Sequence, residues 1–132
     1  MKKYIVVTGG AGFVGSNLIQ YLLDKTKYKI ISLDNYSSGI KKNHIKNKRI
    51  KYLNSNTKLI KKVLKEPKKI SAIFHFGEFS RIYQSFLKMD ECLESNSVGT
   101  HEVFNFCLSN NIKLIYSATS ASLGNKGNDK NL

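Results

Sequence analysis

Apolar residues along the chain fall into short blocks with two kinds of spacing. Five segments have the continuous apolar or alternating character of strands, namely residues 3–8, 28–33, 49–53, 70–76 and 112–117. Three segments repeat apolar residues at helical spacing, namely residues 13–25, 59–64 and 80–110, the last with an interruption predicted near Glu94. Residues 35–47 are polar and are predicted to form a loop with a short helical turn.

Strands and helices therefore alternate along most of the chain. This order predicts crossover connections, a parallel sheet and helices on both of its faces. A length of 132 residues is sufficient for one such domain. We predict an α/β domain with a doubly wound, Rossmann-like parallel sheet of about five strands over residues 1–124, followed by a polar tail over residues 125–132.

Charge changes this picture only in part. The chain has 22 Lys and Arg against 9 Asp and Glu, a net charge of +13, and twelve of the basic residues lie between positions 41 and 69. A basic α/β domain that binds nucleic acid is therefore one alternative. Only Arg49 and Arg81 are arginines, however, and base and phosphate recognition relies on arginine forks. We favour a solvated lysine surface, whose charge would also attract a phosphorylated ligand.

The lengths of the apolar runs and the number of cysteines predict the compartment and the redox state. No apolar run reaches the roughly 18 residues that a membrane span needs. The apolar run after the charged N-terminus is too short for a signal peptide, so we expect a cytoplasmic protein without a membrane partner. Cys92 and Cys107 are predicted to be reduced, packed thiols, and no metal site is predicted.

A glycine turn joins the first predicted strand to the first predicted helix. It reads Gly10-x-Gly12-x-x-Gly15. Such a turn needs no Cβ at its sharpest point, lets a pyrophosphate approach the backbone N–H groups of the helix, and lets the helix pack on the sheet. A tight turn without a ligand would use the same residues, so the glycines alone are weak evidence.

Asp34 adds a second condition at the end of the second predicted strand. It lies nineteen residues after Gly15, where a carboxylate can accept hydrogen bonds from the adenosine ribose. A turn-starting acid is the alternative. Because no arginine follows Asp34, NAD is favoured over NADP, although Lys41 and Lys42 keep NADP as a second option.

A set of short motifs follows one another at familiar distances. They are TGGAGFVGS at 8–16, LDN at 33–35, FHFG at 74–77, N-x-x-GT at 96–100 and YSATS at 116–120 with Gly124. As a set they resemble the N-terminal part of an extended short-chain dehydrogenase/reductase, in the NAD-dependent nucleotide-sugar epimerase/dehydratase group. The resemblance runs from about Lys3 to Gly124.

The resemblance implies NAD as the cofactor and a set of positions that bind it. These are Gly9, Gly12, Phe13, Val14, Gly15, Asp34, Asn35, Asn56, Phe76, Gly77 and Asn96. The glycines would form the phosphate loop, with Phe13 and Val14 donating backbone N–H groups, and Asp34 and Asn35 would hold the adenosine ribose. Asn56 replaces an Asp expected beside the adenine. Asn96 would pack behind the cofactor site.

Thr119 is the catalytic position that the resemblance implies. It corresponds to the Ser or Thr that hydrogen-bonds the sugar hydroxyl being oxidised, although one polar residue among others at a strand end is the alternative. Glu78 departs from the small residue common at its position. His75, between two phenylalanines, is predicted to be a core histidine with satisfied hydrogen bonds.

The proton-transfer pair of this family, a Tyr followed four residues later by a Lys, is not found where it is expected. Tyr21 and Lys25 have the spacing but lie on the first helix, six to ten residues past Gly15, and are rejected as catalytic. We therefore expect a chain truncated before the substrate domain and catalytically incomplete. A nucleotide-sugar substrate would need a C-terminal half, and a homodimer or a split-subunit partner is expected. A non-catalytic dinucleotide-binding module remains a further alternative.

Overall fold

Five parallel strands form one sheet in the computed structural model, which describes residues 2–77 and 87–117. Within these residues the spatial order is β3-β2-β1-β4-β5, and every neighbouring pair is parallel. The strands are β1 (Tyr4–Thr8), β2 (Lys29–Asp34), β3 (Ile50–Asn54), β4 (Ile70–His75) and β5 (Lys113–Tyr116). The predicted parallel α/β sheet of about five strands is confirmed.

Helical segments connect the strands. The α-helices are α1 (Phe13–Lys25), α2 (Ile60–Val63), α3 (Met89–Leu93) and α4 (Thr100–Asn110). A π-helical segment (Glu94–Gly99) joins α3 to α4, so the predicted interruption near Glu94 is confirmed. Short 3₁₀ turns occupy Lys41–Asn43, Thr57–Leu59 and Pro67–Lys69. Among the described residues, no helix is long and apolar enough to cross a membrane.

The β-branched run of β1 lies at the centre of the sheet and separates two apolar clusters. Because side chains alternate along a strand, Ile5 and Val7 face one side and Val6 faces the other. The side of Ile5 is covered by α1, through Ile19, Leu22 and Leu23. The side of Val6 is covered by α2 and α4, through Ile60, Leu64, Val103, Phe106 and Cys107. Because all neighbouring strands are parallel, their carboxyl ends lie together at one edge of this sheet.

The C-terminal end of α1 is closed by Arg49, which lies just before β3. Its guanidinium donates hydrogen bonds to the carbonyl oxygens of Thr26 at 2.7 Å and Tyr28 at 3.1 Å, and also to that of Leu23. The bond to Leu23 satisfies a carbonyl of the last turn of α1, and the other two bonds hold the segment that follows the helix. The guanidinium also places a positive charge at the negative end of the helix dipole.

Candidate functional site

At two positions of the turn between β1 and α1, a Cβ would collide with backbone atoms. Gly9 has a φ of +70°, and a Cβ added to it would lie 2.7 Å from the carbonyl oxygen of Phe76. A Cβ at Gly15 would lie 2.2 Å from the carbonyl oxygen of Gly9, so the first turn of α1 packs directly on the backbone of the turn. The Gly12 amide closes the turn with a hydrogen bond of 3.1 Å to Gly9.

The N-terminal end of α1 presents backbone donors. Gly12 is the N-cap residue and contributes no side-chain hydrogen bond, and no acidic residue lies in the first turn. The amides of Phe13, Val14 and Gly15 cannot reach a carbonyl four residues back within the helix. The Phe13 and Val14 side chains are 82% and 56% exposed and therefore do not pack in the core. Such an end combines free N–H groups with the positive end of the helix dipole, which is the arrangement that binds a phosphate.

Asp34 ends β2 beside this turn. Its Oδ2 accepts a hydrogen bond of 3.0 Å from the Ala11 amide, and its Oδ1 accepts one of 2.8 Å from the Tyr36 amide. The residue is 8% exposed and, within the part of the chain described, makes no ion pair. Each carboxylate oxygen retains acceptor capacity, so the carboxylate is oriented by the backbone and still able to accept hydrogen bonds from hydroxyl groups.

The loop after β2 is fastened to the glycine turn. The Ala11 carbonyl accepts hydrogen bonds from the Ile40 amide at 3.2 Å and from Asn43 Nδ2 at 2.8 Å. Gly39 lies so close that an added Cβ would be 2.8 Å from Asp34 Oδ2. The polar residues 35–47 predict a loop with a short helical turn, which is found at Lys41–Asn43, but no sequence signal marks Gly39 or Asn43 as residues that complete this edge of the site.

An aromatic cluster supports the same loop. Tyr36 adopts a φ of 61°, and its hydroxyl lies 2.7 Å from Nε2 of His44, whose ring stacks on Tyr52 at a centroid distance of 3.7 Å. Burial, followed by the negative charge of Asp34 and the nearby Tyr52, raises the pKa of Tyr36 above its ordinary value. The phenol therefore stays protonated at neutral pH. No local sequence pattern signalled this cluster.

The three predicted asparagines lie in a loop, a 3₁₀ turn and the π-helical segment. Asn35 is exposed, and its side chain accepts a hydrogen bond of 3.0 Å from the Ser37 amide. Asn56 caps the 3₁₀ turn Thr57–Leu59 by accepting one of 3.2 Å from the Lys58 amide. Asn96 lies in the π-helical segment and donates to Cys92 Sγ at 3.5 Å. These bonds are local, and no described contact joins Asn56 or Asn96 to the glycine turn.

The π-helical segment and the turn after β3 are nevertheless in direct contact. A Cβ added to Gly99 would lie 2.1 Å from Thr57 Oγ1, and Lys58 forms an ion pair with Glu94. Asn56 and Asn96 therefore belong to neighbouring elements on the α2 and α4 side of the sheet. The structure thus groups the glycine turn, Asp34, Phe76 and Gly77 at one edge and places Asn56 and Asn96 on the elements beside it.

Several sequence predictions fall outside the described residues. They are the catalytic position Thr119, the substitution at Glu78, and the domain boundary near Gly124. Tyr21 lies within α1 and is exposed, as is Lys25 at its end. They are about 12–18 Å along the helix axis from Phe13, which agrees with their rejection as a catalytic pair.

The two cysteines are free thiols, as predicted, in different surroundings. Cys107 is buried, and burial raises the pKa of its thiol to about 11, so it stays protonated at neutral pH and is a poor nucleophile. Cys92 is partly buried and accepts a hydrogen bond from Asn96. Among the described residues, no three His, Cys, Asp or Glu side chains are grouped to hold a metal ion. The chemistry of this region is therefore that of oriented backbone amides and one carboxylate.

Comparison with protein families gives a match over nearly the whole chain. Residues 5–131 match the model of the NAD dependent epimerase/dehydratase family. Solved structures agree. The UDP-Glc/GlcNAc 4-epimerase of Campylobacter jejuni is 30% identical, with a TM-score of 0.78. A UDP-N-acetylglucosamine 4-epimerase of Methanobrevibacter ruminantium, determined with UDP-N-acetylmuramic acid, is 28% identical, with a TM-score of 0.79. An epimerase of Methanothermobacter thermautotrophicus is 26% identical, with a TM-score of 0.80.

These relatives are longer than the chain. The alignments include 92%, 98% and 89% of this chain but 39%, 42% and 35% of the respective relatives. The chain therefore corresponds to the N-terminal part of these epimerases, as the resemblance of its motifs predicted.

Proposed function

Because the chain belongs to the NAD-dependent epimerase/dehydratase family, we propose that it binds NAD at the N-terminal end of α1 and is the cofactor-binding part of a nucleotide-sugar epimerase or dehydratase. The single observation that carries this proposal is the pairing of two groups at one edge of the sheet. The first is the uncapped N-terminal end of α1, and the second is the Asp34 carboxylate hydrogen-bonded to Ala11 of the glycine turn.

The residues present fit the dinucleotide. Phosphate oxygens need donors, and the amides of Phe13, Val14 and Gly15 begin the helix without a capping side chain. Ribose hydroxyls need an acceptor, and Asp34 retains acceptor capacity on both oxygens. Asn35 lies next to it. Gly12 leaves the space through which a diphosphate would approach the backbone.

Asp34 supports NAD over NADP. A phosphate on the ribose 2′ oxygen would bring negative charge to a carboxylate that is 8% exposed and without an ion-pair partner among the described residues. Lys41 and Lys42 are exposed in the 3₁₀ turn of the following loop and can screen this repulsion only from the solvent side. We therefore propose NAD as the preferred cofactor.

Bound NAD supplies a hydride acceptor and donor for the carbon of the sugar that is oxidised and reduced. In this proposal the described residues bind and orient the cofactor: α1 holds the diphosphate, Asp34 holds the ribose, and Phe76 and Gly77 line the end of β4. Thr119 is proposed to hydrogen-bond the reacting sugar hydroxyl.

The acid/base pair and the sugar-binding residues are proposed to come from a C-terminal half. The chain covers 35% to 42% of the three relatives described above. Within the described residues β5 is an edge strand. Beside it the exposed Leu108 and Phe104 border an apolar groove of about 360 Å³ together with Cys107, Asn111, Ile112 and Leu114.

Adding the C-terminal half as a separate chain is expected to produce sugar-nucleotide epimerase or dehydratase activity that Thr119→Ala reduces. Equal activity of the variant would remove the role of Thr119.

Calorimetric titration of the purified chain with NAD and with NADP tests the binding proposal directly. We expect saturable binding of NAD and at least about tenfold weaker binding of NADP.

Gly12→Ala tests the diphosphate position. We expect weaker NAD binding with little change in thermal stability, because the added Cβ would lie 3.3 Å from the Gly9 carbonyl oxygen and project into the space left for the diphosphate. Phe13→Ala is the matched control, since the proposed contact uses its amide. Absence of NAD binding, or equal binding by the Gly12 variant, contradicts the proposal.

A further inference from the structure

Three buried side chains form a hydrogen-bonded relay beneath the candidate site. Oγ1 of Thr8, at the end of β1, lies 2.7 Å from Nδ1 of His75, at the end of β4. Nε2 of His75 lies 2.9 Å from Oγ1 of Thr100, the first residue of α4. Thr8 and His75 are fully buried and Thr100 nearly so. The predicted core histidine with satisfied hydrogen bonds is therefore confirmed, and its partners connect three elements.

The hydrogen bonds at Thr8 determine where its proton lies. Besides His75, its Oγ1 accepts hydrogen bonds from the Phe76 amide at 3.0 Å and from the Gly77 amide at 2.9 Å. An amide can only donate, and a hydroxyl oxygen has two lone pairs and one proton. The Phe76 amide is shared with the Thr8 carbonyl oxygen at 3.2 Å, but Oγ1 is the nearer acceptor. The two amides thus occupy both acceptor sites of the hydroxyl oxygen, and the Thr8 proton is donated to Nδ1 of His75.

One protonation form of His75 satisfies this arrangement. Because Nδ1 accepts, the ring is neutral and its proton lies on Nε2, which donates to Thr100. An imidazolium, or a ring with its proton on Nδ1, would present a third donor to the Thr8 oxygen. The relay therefore has a single direction, from Thr8 through His75 to Thr100.

The relay fixes the turn that leaves β4. Gly9 and Gly77 approach each other's backbone so closely that a Cβ on Gly9 would lie 3.1 Å from the Gly77 amide nitrogen. A Cβ on Gly77 would lie 3.0 Å from Thr8 Oγ1. The ends of β1 and β4 are thus held against each other by the Thr8 hydroxyl, and the position of that hydroxyl is held by His75.

We propose that His75 is a positioning residue for the dinucleotide site: in its Nε2–H form it orients the Thr8 hydroxyl, which holds the Phe76–Gly77 turn in the position that lines the cofactor. This role rests on the proposed NAD site, because NAD is the ligand whose binding it affects. The hydrogen bonds of the relay are present whether or not NAD binds. A histidine that only fills core volume would need neither a fixed tautomer nor the Thr8 hydroxyl.

Long-range nitrogen–proton NMR correlation on the unaltered chain tests the tautomer without any substitution. The expected spectrum has a protonated Nε2 and an unprotonated Nδ1 for His75 at neutral pH. A proton on Nδ1 overturns the inference, whether or not NAD binds.

Two substitutions of Thr8 test the positioning role. Thr8→Val keeps the shape of the side chain and removes the acceptor, so we expect faster hydrogen exchange at the Gly77 amide and about tenfold weaker NAD binding. Thr8→Ser keeps the hydroxyl and is expected to restore the exchange rate and the NAD affinity to within about threefold.

His75 variants serve where Thr8→Val fails to fold. His75→Asn can still accept a hydrogen bond from Thr8 and should retain more NAD affinity than His75→Gln. Unchanged NAD affinity of Thr8→Val overturns the inference. Failure of the unaltered chain to bind NAD overturns the proposed function, and the tautomer and Gly77 exchange then still decide whether the relay exists.

Discussion

The N-terminal end of α1 and the lysine-rich stretch at residues 41–69 both offer positive charge, but in different forms. At the end of α1 the charge is partial, belongs to backbone amides, and is fixed by a turn in which added Cβ atoms would collide. The lysine-rich stretch has eleven lysines, all exposed. Two of them, Lys58 and Lys69, pair with Glu94 and Glu66. The larger charge therefore has the less defined geometry.

This difference shows why net charge is a poor guide to the binding site. Exposed ammonium groups on flexible stems are solvated and screened by salt, whereas oriented amides at a helix end need no reorganisation to meet an anion. Arg49, the residue of this stretch best suited to bind phosphate, instead donates to carbonyl oxygens at the end of α1. The lysine-rich stretch is thus an exposed surface without this geometry, and we expect it to act on anionic ligands only through its long-range charge.

The largest effect is expected from Gly15→Ala. Its Cβ would lie 2.2 Å from the Gly9 carbonyl oxygen and 2.8 Å from Gly10 Cα, and neither backbone atom can move without opening the turn. We expect a loss of about 3 kcal/mol in the free energy of unfolding, measured by chemical denaturation. Gly12→Ala is the control and should lose less than about 1 kcal/mol. Similar losses in both would mean that the packing of α1 on the turn is not the constraint.

Asp34→Ala should have the next largest effect. It removes the acceptor for ribose hydroxyls and leaves the Ala11 and Tyr36 amides without their partner, so NAD affinity should fall about thirtyfold. Asp24→Ala is a charge-matched control, because Asp24 lies exposed on α1 and accepts from Gln20. Calorimetry of both variants separates loss of the ribose contact from loss of one negative charge. An equal decrease in both would contradict the site.

Neutralising part of the lysine-rich stretch should change little. Lys61→Gln with Lys62→Gln removes two exposed charges of α2, and at about 0.15 M salt NAD affinity should change less than about threefold. Fluorescence titration with duplex DNA of the same variant and of the unaltered chain tests the nucleic-acid alternative. That alternative would be supported if DNA affinity fell steeply with salt and if the two substitutions made this salt dependence less steep.

The smallest effect is expected at Ser32, which lies in β2 directly beneath the glycine turn. Its Oγ is buried and has no hydrogen-bond partner within the described part of the chain. Removing this hydroxyl in Ser32→Ala should leave stability unchanged or increase it by up to about 1 kcal/mol in thermal denaturation. Ser16→Ala is the comparison, because Ser16 donates to Phe13 and its loss should not stabilise. A clear loss of stability in Ser32→Ala would indicate an unrecognised partner.

The sequence was sufficient for the sheet and for the order of its elements, because both depend on local patterns. The β-branched run before Gly9, the apolar spacing of α1 and the acid that ends β2 each carry their information within a few residues. Most strand ends differ from the predicted ones by a single residue. For example, β2 ends at Asp34 instead of Leu33.

What the sequence did not predict depends on contacts between distant residues. Thr8 and His75 are 67 residues apart, and Asn43 reaches Ala11 across 32 residues. Neither pairing follows from spacing, since many polar residues could fill such positions. The roles of Asn56 and Asn96 came from resemblance alone and stay predictions, because the described hydrogen bonds of both are local.

The contacts of Arg49 have a consequence for the order in which the chain becomes structured. Arg49 follows Leu23 by 26 residues, so it leaves the ribosome well after the first helix has been synthesised. Until the segment before β3 docks, the Leu23 carbonyl in the last turn of that helix lacks its guanidinium donor, and we expect this turn to fray more readily. We therefore expect the C-terminal end of the helix to become fully ordered only with the third strand in place, whereas the hydrogen bond that closes the glycine turn at its other end joins residues three apart in the chain.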